Sequence, residues 1–600
     1  MSKEKTTHRI AIILALVLIT LFLRLYNTSD LSGGDDSQWA ELATYAIQDP
    51  KLIIYPHMPD EPTQWRDAHY SRPFAVIPYV LSILVLGYNK FAIVFPAALF
   101  SALSVILLFL LLRKQFNDSV AYLACFFFAV SPFEMAFSRI GLLDSALIFY
   151  CLLAFWFLIE GLERKKVSFI YLSAIVWFVN STTTNIRGAV PILAILPCIY
   201  FYLMKQKFDF KRLFRNRMFH HILISHIGVA VVFVIYIALP LLWGDSGWID
   251  LFIVMGQNAA GAIPGREYMG FWTAVRQMGS IIIFTPFMGL VFVPLLAGLV
   301  FSLRRLKEFK YAFWIFFMIG MLFFYYQGQY APHRQTVFMP AFAAFAALGI
   351  MLPYQRFKKD KDSHLLPLVF AISFAYLVFM FYMFSVFFAI DFVGVYSVAQ
   401  ALGLELLLGI LITYWWVLVI LVLGVFGAVW SLSRTERTKA LRAYVVVMLI
   451  FLVINISVPL LLAHTGVGIY KRTDSTGVVG RYLTENLGEE RYSCVAGVHA
   501  KSFSFYTRRT CAFWVKVDVP WLEEQAEKGN VKYFILNTHY QGGTSGFGMV
   551  RPDGTFGPAV NTGWEINHHD KRDWLLDNAV DVTGDSGLSG KEDFIIYRLK

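Results

Sequence analysis

Apolar runs long enough to cross a bilayer recur throughout this 600-residue chain, and they leave the backbone few options. A segment in hydrocarbon must satisfy its own backbone hydrogen bonds, so each such run has to be a helix unless strands close into a barrel. Roughly 20 apolar residues make one crossing, and runs near 10–27, 93–112, 119–138, 143–160, 168–185, 188–204, 220–243, 277–302, 311–327, 335–352, 365–390, 406–431 and 443–463 supply about thirteen. Only 16% of residues are charged and 57% are hydrophobic, with a mean hydropathy of +0.58, which excludes an ordinary soluble domain. The expected class is a polytopic α-helical membrane protein. The first run has no small-residue cleavage site after it and is read as a retained span.

The net charge of +11 sorts by loop. Arg113-Lys114, Arg164-Lys165-Lys166, Lys205 to Arg217, Arg304 to Lys310, Arg356 to Lys361 and Arg434 to Arg442 alternate with acidic or mixed loops. The basic set joins Lys3, Lys5 and Arg9 on the cytosolic side by the positive-inside rule. A nucleic-acid partner is excluded, because that would need basic residues clustered with aromatic ones on a folded face. The expected location is the cell (inner or plasma) membrane, multi-pass. Phe74–Gly87 is apolar but short. Counting it as a span would invert every later loop, so it is read as a juxtamembrane or re-entrant helix within a structured first outer loop, about 28–92. Residues 1–465 then form the membrane domain and 466–600 an extracytosolic α/β domain. In the latter, short hydrophobic runs (Tyr492–Val498, Phe513–Val519, Lys532–Leu536, Phe594–Tyr597) alternate with helical patterns at Thr476–Glu485 and Pro520–Lys528. Cys125, Cys151 and Cys198 lie in apolar runs. Cys494 and Cys511 lie in this terminal region and can pair if it is outside the cytosol.

Three polar constellations fall on the expected outer face. Asp35-Asp36 follows Gly33-Gly34 at the exit of the first span, with Glu41 further on. Asp144 ends the stretch from Ser138-Arg139 at a junction of two spans. Arg72, Arg187, Arg266 and His333-Arg334 supply cations. A carboxylate pair at a membrane surface is costly to desolvate and points to function. A carboxylate can take a proton from an attacking hydroxyl, and arginine can hold a departing phosphate bidentately. Blander readings stand beside these: Asp144 as a helix N-terminal charge, Arg187 and Arg266 as snorkelling cations, Trp39 and Trp65 as interfacial anchors. His69, His333 and Glu61 have no metal-ligand spacing.

Gly34-Asp35-Asp36-Ser37-Gln38-Trp39-Ala40-Glu41-Leu42-Ala43 resembles the Asp-Glu motif after the first span of the GT-C glycosyltransferases, with the lipid A aminoarabinose transferases and protein O-mannosyltransferases as the nearest groups. Asp35 matches the family's catalytic Asp, and Asp36 stands where Glu is usual. Arg72-Pro73 resembles the basic-Pro step before a juxtamembrane helix. Asp144 matches the acidic residue of the second outer loop, Arg187-Gly188-Ala189-Val190 resembles a Lys-Gly-Pro step with Arg for Lys, and Tyr330 to Pro340 resembles an aromatic-basic-Pro segment. The resemblance implies a polyprenyl-phosphate-linked sugar donor, a lipid, glycan or protein acceptor, surrounding membrane lipids, and inverting transfer outside the cytosol. It assigns Asp35, Asp36 and Asp144 to catalysis and Arg72, Arg187, Arg266 and Arg334 to the donor phosphate. Some relatives bind a divalent metal ion near the site, for which no ligand set maps onto this sequence. A transporter or flippase of lipid-linked saccharides should instead carry mid-bilayer charges or broken helices in paired halves. A polysaccharide polymerase or ligase gives no reason for the early acidic pair.

Overall fold

In the computed structural model the described residues are 3–26, 35–50, 73–139, 141–184, 191–205, 209–238, 289–327, 336–359, 475–488, 492–496, 500–513, 519–537, 574–575, 577–586 and 594–600, with a few single residues between them. Five of the described helices are long and apolar enough to cross a membrane. They lie within α1 (Lys3–Leu25), α4 (Lys90–Gln115), α7 (Asp144–Arg164), α11 (Arg217–Ala238) and α14 (Met339–Lys359, counted from Thr336). Shorter helices fill the bundle: α2 (Asp35–Gln48), α3 (Pro73–Leu86), α5 (Asp118–Ala129), α6 (Pro132–Ser138), α8 (Val167–Thr184), α9 (Pro191–Lys205), α10 (Phe210–Leu213), α12 (Gly289–Leu303) and α13 (Phe309–Gln327). The expected runs at 365–390, 406–431 and 443–463, and the domain boundary near 465, lie outside the described residues.

The expected span at 119–138 is broken. Helix α5 stops at Ala129 and α6 restarts at Pro132, because a proline at the first helical position cannot donate to the preceding turn. The Ser131 hydroxyl caps the new helix by accepting from the Glu134 N–H at 3.3 Å. The short apolar segment at 74–87 is helix α3, as the hydropathy indicated.

The two ends of the bundle differ in chemistry. At one end Arg9 Nε donates to Asp118 at 2.9 Å, Arg113 meets the same carboxylate at 3.1 Å, and Lys114 bridges Glu160 and Glu163 at 2.6 and 2.9 Å. The start of α1, the end of α4, the start of α5 and the end of α7 are thereby gathered, and their basic residues come from expected cytosolic loops. The core between the ends is aromatic and small-residue packing, with Phe155 edge-on to both Trp177 and Phe313.

After Ser475 the chain changes character. Helix α15 (Ser475–Asn486), β1 (Tyr492–Ala496), α16 (Ala500–Thr507), β2 (Thr510–Phe513), α17 (Val519–Glu527), β3 (Tyr533–Asn537), β4 (Ala579–Asp581) and β5 (Phe594–Leu599) make a mixed sheet of order β2-β1-β3-β5-β4. Strands β1–β3 are parallel, joined by helical crossovers, while β5 runs antiparallel to β3 and β4 to β5. Cys511 is disulfide-bonded, and the residue opposite it on β1 is Cys494.

Candidate active site

Helix α2 opens on Asp35-Asp36, the acidic pair singled out in the sequence. Every residue from Ser37 to Ala46 is buried. One side of α2 faces α3: Trp39 stacks on Tyr79 with ring centroids 6.5 Å apart, and Ala40, Ala43 and Ala46 let α3 approach closely. Tyr79 in turn donates its hydroxyl to the Gly141 carbonyl at 2.6 Å. Gly141 sits at φ +69, and a Cβ there would lie 2.9 Å from the Ile93 carbonyl oxygen, so the turn requires glycine. This tight turn delivers the chain to Asp144, the first residue of α7, which is 6% exposed. Leu143, just before it, joins Leu31, Trp39, Tyr79 and Ile93 in one apolar cluster. The elements carrying Asp35 and Asp144 therefore meet, although the two are more than a hundred positions apart in sequence.

A buried ion pair holds the same region. Arg24, at the end of α1, pairs with Glu134 of α6, and both side chains are excluded from solvent. Arg24 also donates to the carbonyls of Ala129 at 2.9 Å and Thr20 at 3.2 Å, satisfying an end of α5 that the proline break exposes. Ser145, beside Asp144, donates to Glu134 at 3.5 Å. Arg139, 3% exposed, donates to the Leu23 carbonyl at 2.7 Å. The end of α1 is thus fixed by two groups from the junction that carries Asp144. Glu134 was not singled out in the sequence. Its signal was there, a lone carboxylate in an apolar run with a matching arginine in another.

The remaining expected cations distribute as follows. Arg72, Arg187, Arg266 and Arg334 lie outside the described residues. Arg72 directly precedes α3, which packs on α2. Arg187 follows the end of α8, which returns antiparallel to α7 toward the Asp144 end. Arg334 precedes α14, whose first residue, Met339, accepts the Ser131 hydroxyl at 3.3 Å on its sulfur. Tyr88, at the α3–α4 corner, has the Arg508 guanidinium 4.4 Å over its ring. Burial pushes the Tyr88 phenol up and Arg508 opposes that, so the contact is a cation on a neutral ring. No group of three or more metal-ligating side chains assembles among the described residues.

A helical bundle whose second helix opens on an acidic pair, beside a second acidic junction and ahead of a C-terminal α/β unit, matches known architectures along its whole length. The structure of ArnT from Cupriavidus metallidurans bound to undecaprenyl phosphate superposes with a TM-score of 0.55 at 12% identity, covering 100% of this chain and 98% of that one. The chain shares the fold of that structure. The apo oligosaccharyltransferase of Archaeoglobus fulgidus shares it, with a TM-score of 0.52 at 14% identity over 94% of this chain and 76% of that one. In sequence, residues 72–242 match the family described as dolichyl-phosphate-mannose-protein mannosyltransferase. A Bacillus subtilis (strain 168) protein named "Putative mannosyltransferase YkcB" is 29% identical over 133 residues, 22% of this chain and 18% of its own length. The matched family segment runs from Arg72 through α3, Asp144 and Arg187. It therefore contains three of the seven expected site residues, Arg72, Asp144 and Arg187, and leaves out Asp35, Asp36, Arg266 and Arg334.

Proposed function

We propose that this protein is an integral membrane glycosyltransferase. It moves a sugar from a polyprenyl-phosphate donor to a hydroxyl or phosphate acceptor on a lipid, glycan or protein. The observation that carries this reading is the convergence of α2, which begins at Asp35, with the Asp144 junction within a GT-C fold. The family match over 72–242, whose description names dolichyl-phosphate-mannose, supports both the sugar-transfer class and the donor class. ArnT in the superposed structure is bound to undecaprenyl phosphate, a ligand with the chemistry expected of the donor's leaving group.

In the proposed step, Asp35 accepts the acceptor's proton as its oxygen attacks the anomeric carbon. The bond from that carbon to the donor phosphate breaks, configuration inverts, and polyprenyl phosphate leaves with the electron pair. Arg72, Arg187, Arg334 and Arg266 stabilise that phosphate by charge-assisted hydrogen bonds. Asp144 orients the acceptor, and Asp36 supports Asp35. The chain completes about thirteen spans, with the acidic site and the C-terminal unit on the extracytosolic face, as the basic loops direct. Incubating the purified protein with synthetic polyprenyl-phosphate sugars tests the reading. Release of free polyprenyl phosphate that depends on acceptor supports it; no release with any mannose, aminoarabinose or glucose donor overturns it.

A further inference from the structure

Helix α2 is buried from Ser37 to Ala46, yet its sequence is not apolar all round. Ser37, Gln38, Glu41 and Thr44 are interior together with Trp39, Leu42 and the alanines. Burying such groups is costly unless they are hydrogen-bonded. Thr44 and Glu41 bond within the helix, to the Ala40 carbonyl at 2.9 Å and from the Tyr45 hydroxyl at 3.3 Å. Ser37, in the turn that begins with Asp35-Asp36, reaches outside the membrane bundle. Its hydroxyl lies 2.7 Å from that of Ser502 on α16. At the other end of α2, Gln48 donates to the Arg508 carbonyl at 2.9 Å. Between these contacts Phe505 of α16 is wholly buried in the same cluster as Trp39 and Tyr79, with its ring 5.6 Å from Tyr88. One short helix of the C-terminal unit therefore holds both ends and the middle of the helix that carries the acidic pair.

The holder is itself fixed. The Cys511 N–H donates to Ser504 at 3.0 Å, tying α16 to β2. Gly480 of α15 lies so close to Tyr506 that an added Cβ would sit 2.6 Å from that side chain. Arg508 ends α16 in the left-handed region at φ +58, which turns its carbonyl to Gln48 and its guanidinium onto Tyr88.

We propose that α16 is a positioning brace for the catalytic helix, with Ser502 and Phe505 as its positioning residues. This rests on the transferase reading above. A carboxylate in the first turn of a helix moves with that helix, and displacement of about 1 Å can cost on the order of a hundredfold in rate. The brace acts on the chemical step, with the donor site built from other elements.

The test uses the purified full-length protein with a polyprenyl-phosphate sugar donor, following kcat, donor KM and thermal unfolding. Ser502→Ala should lower kcat about tenfold, leaving donor KM and the unfolding temperature near those of the unmodified protein. Phe505→Ala should lower kcat further, and Phe505→Leu should restore most of the loss. Because Phe505→Ala opens a cavity and can unfold the domain, Ser502→Ala, which deletes one hydroxyl, is the deciding variant. Unchanged kcat in Ser502→Ala, or losses that track only the folded fraction, overturns the brace. Activity that is lost in Asp35→Asn but kept in both Ser502→Ala and Phe505→Ala overturns the brace alone. An unmodified protein inactive with every donor overturns the transferase reading and the brace with it.

Discussion

Arg24 and Glu134 form an ion pair with no solvent around either side chain. Taking two charges out of water is repaid only when the geometry is good and the remaining donors find partners, and removing one member leaves the other stranded. Glu134→Ala should therefore cost about 3–5 kcal/mol, seen as a large drop in unfolding temperature in detergent, whereas Arg24→Met with Glu134→Leu should recover most of it. A single variant as stable as the parent would show that water reaches the pair. At the acidic pair the expectation is catalytic. Asp35→Asn keeps the shape and removes the charge, so transfer should fall by about two to four orders of magnitude, the usual contribution of a positioned base. Asp36→Asn should fall less and Asp144→Asn should fall as well, measured as initial rates of polyprenyl-phosphate release at equal folded protein. A fully active Asp35→Asn enzyme would remove the mechanism.

At the scale of elements, close helix approach is governed by a pair of glycines. A Cβ on Gly298 of α12 would fall 1.8 Å from the Phe345 carbonyl oxygen, and one on Gly349 of α14 would fall 1.8 Å from that of Pro294. Backbone cannot yield to such an overlap, so the helices must separate, and small residues at these crossings are what permit membrane helices to pack. Gly298→Ala and Gly349→Ala should each destabilise by about 1–3 kcal/mol, the range for overpacking. Gly228→Ala in α11, with nothing within 4 Å, is the control and should be neutral or slightly stabilising. Thermal unfolding of the three variants side by side checks this, and equal midpoints would reject the close crossing. Helix α16 illustrates an element that local pattern hides. Lys501-Ser502-Phe503-Ser504-Phe505 alternates polar and apolar like a strand, yet it folds as a helix because both its faces are claimed, one by the sheet and one by α2.

For the whole molecule, cysteines introduced near Lys359 and near Gly543 report sidedness. In intact cells the first should be protected from a membrane-impermeant thiol reagent and the second labelled; equal labelling would reject the arrangement of spans. The native Cys511 should stay unreactive without reductant, since it is already bonded. The apolar runs, the alternation of basic loops and the acidic pair were legible in the sequence, because each is a property of neighbouring residues and the bilayer reads them locally. The helical patterns at 476–485 and 520–528 were legible for the same reason, and appear as α15 and α17. What only the tertiary structure decided are the meetings. Glu134 finds Arg24 across 110 positions, Ser37 finds Ser502 across 465, and Tyr79 finds the Gly141 turn that delivers Asp144. A single sequence shows the members singly, as a lone carboxylate and an arginine in two apolar runs or as ordinary serines and a tyrosine, but not which partner each one meets. Their worth comes from exclusion of water at the contact, which exists only once the chain is packed.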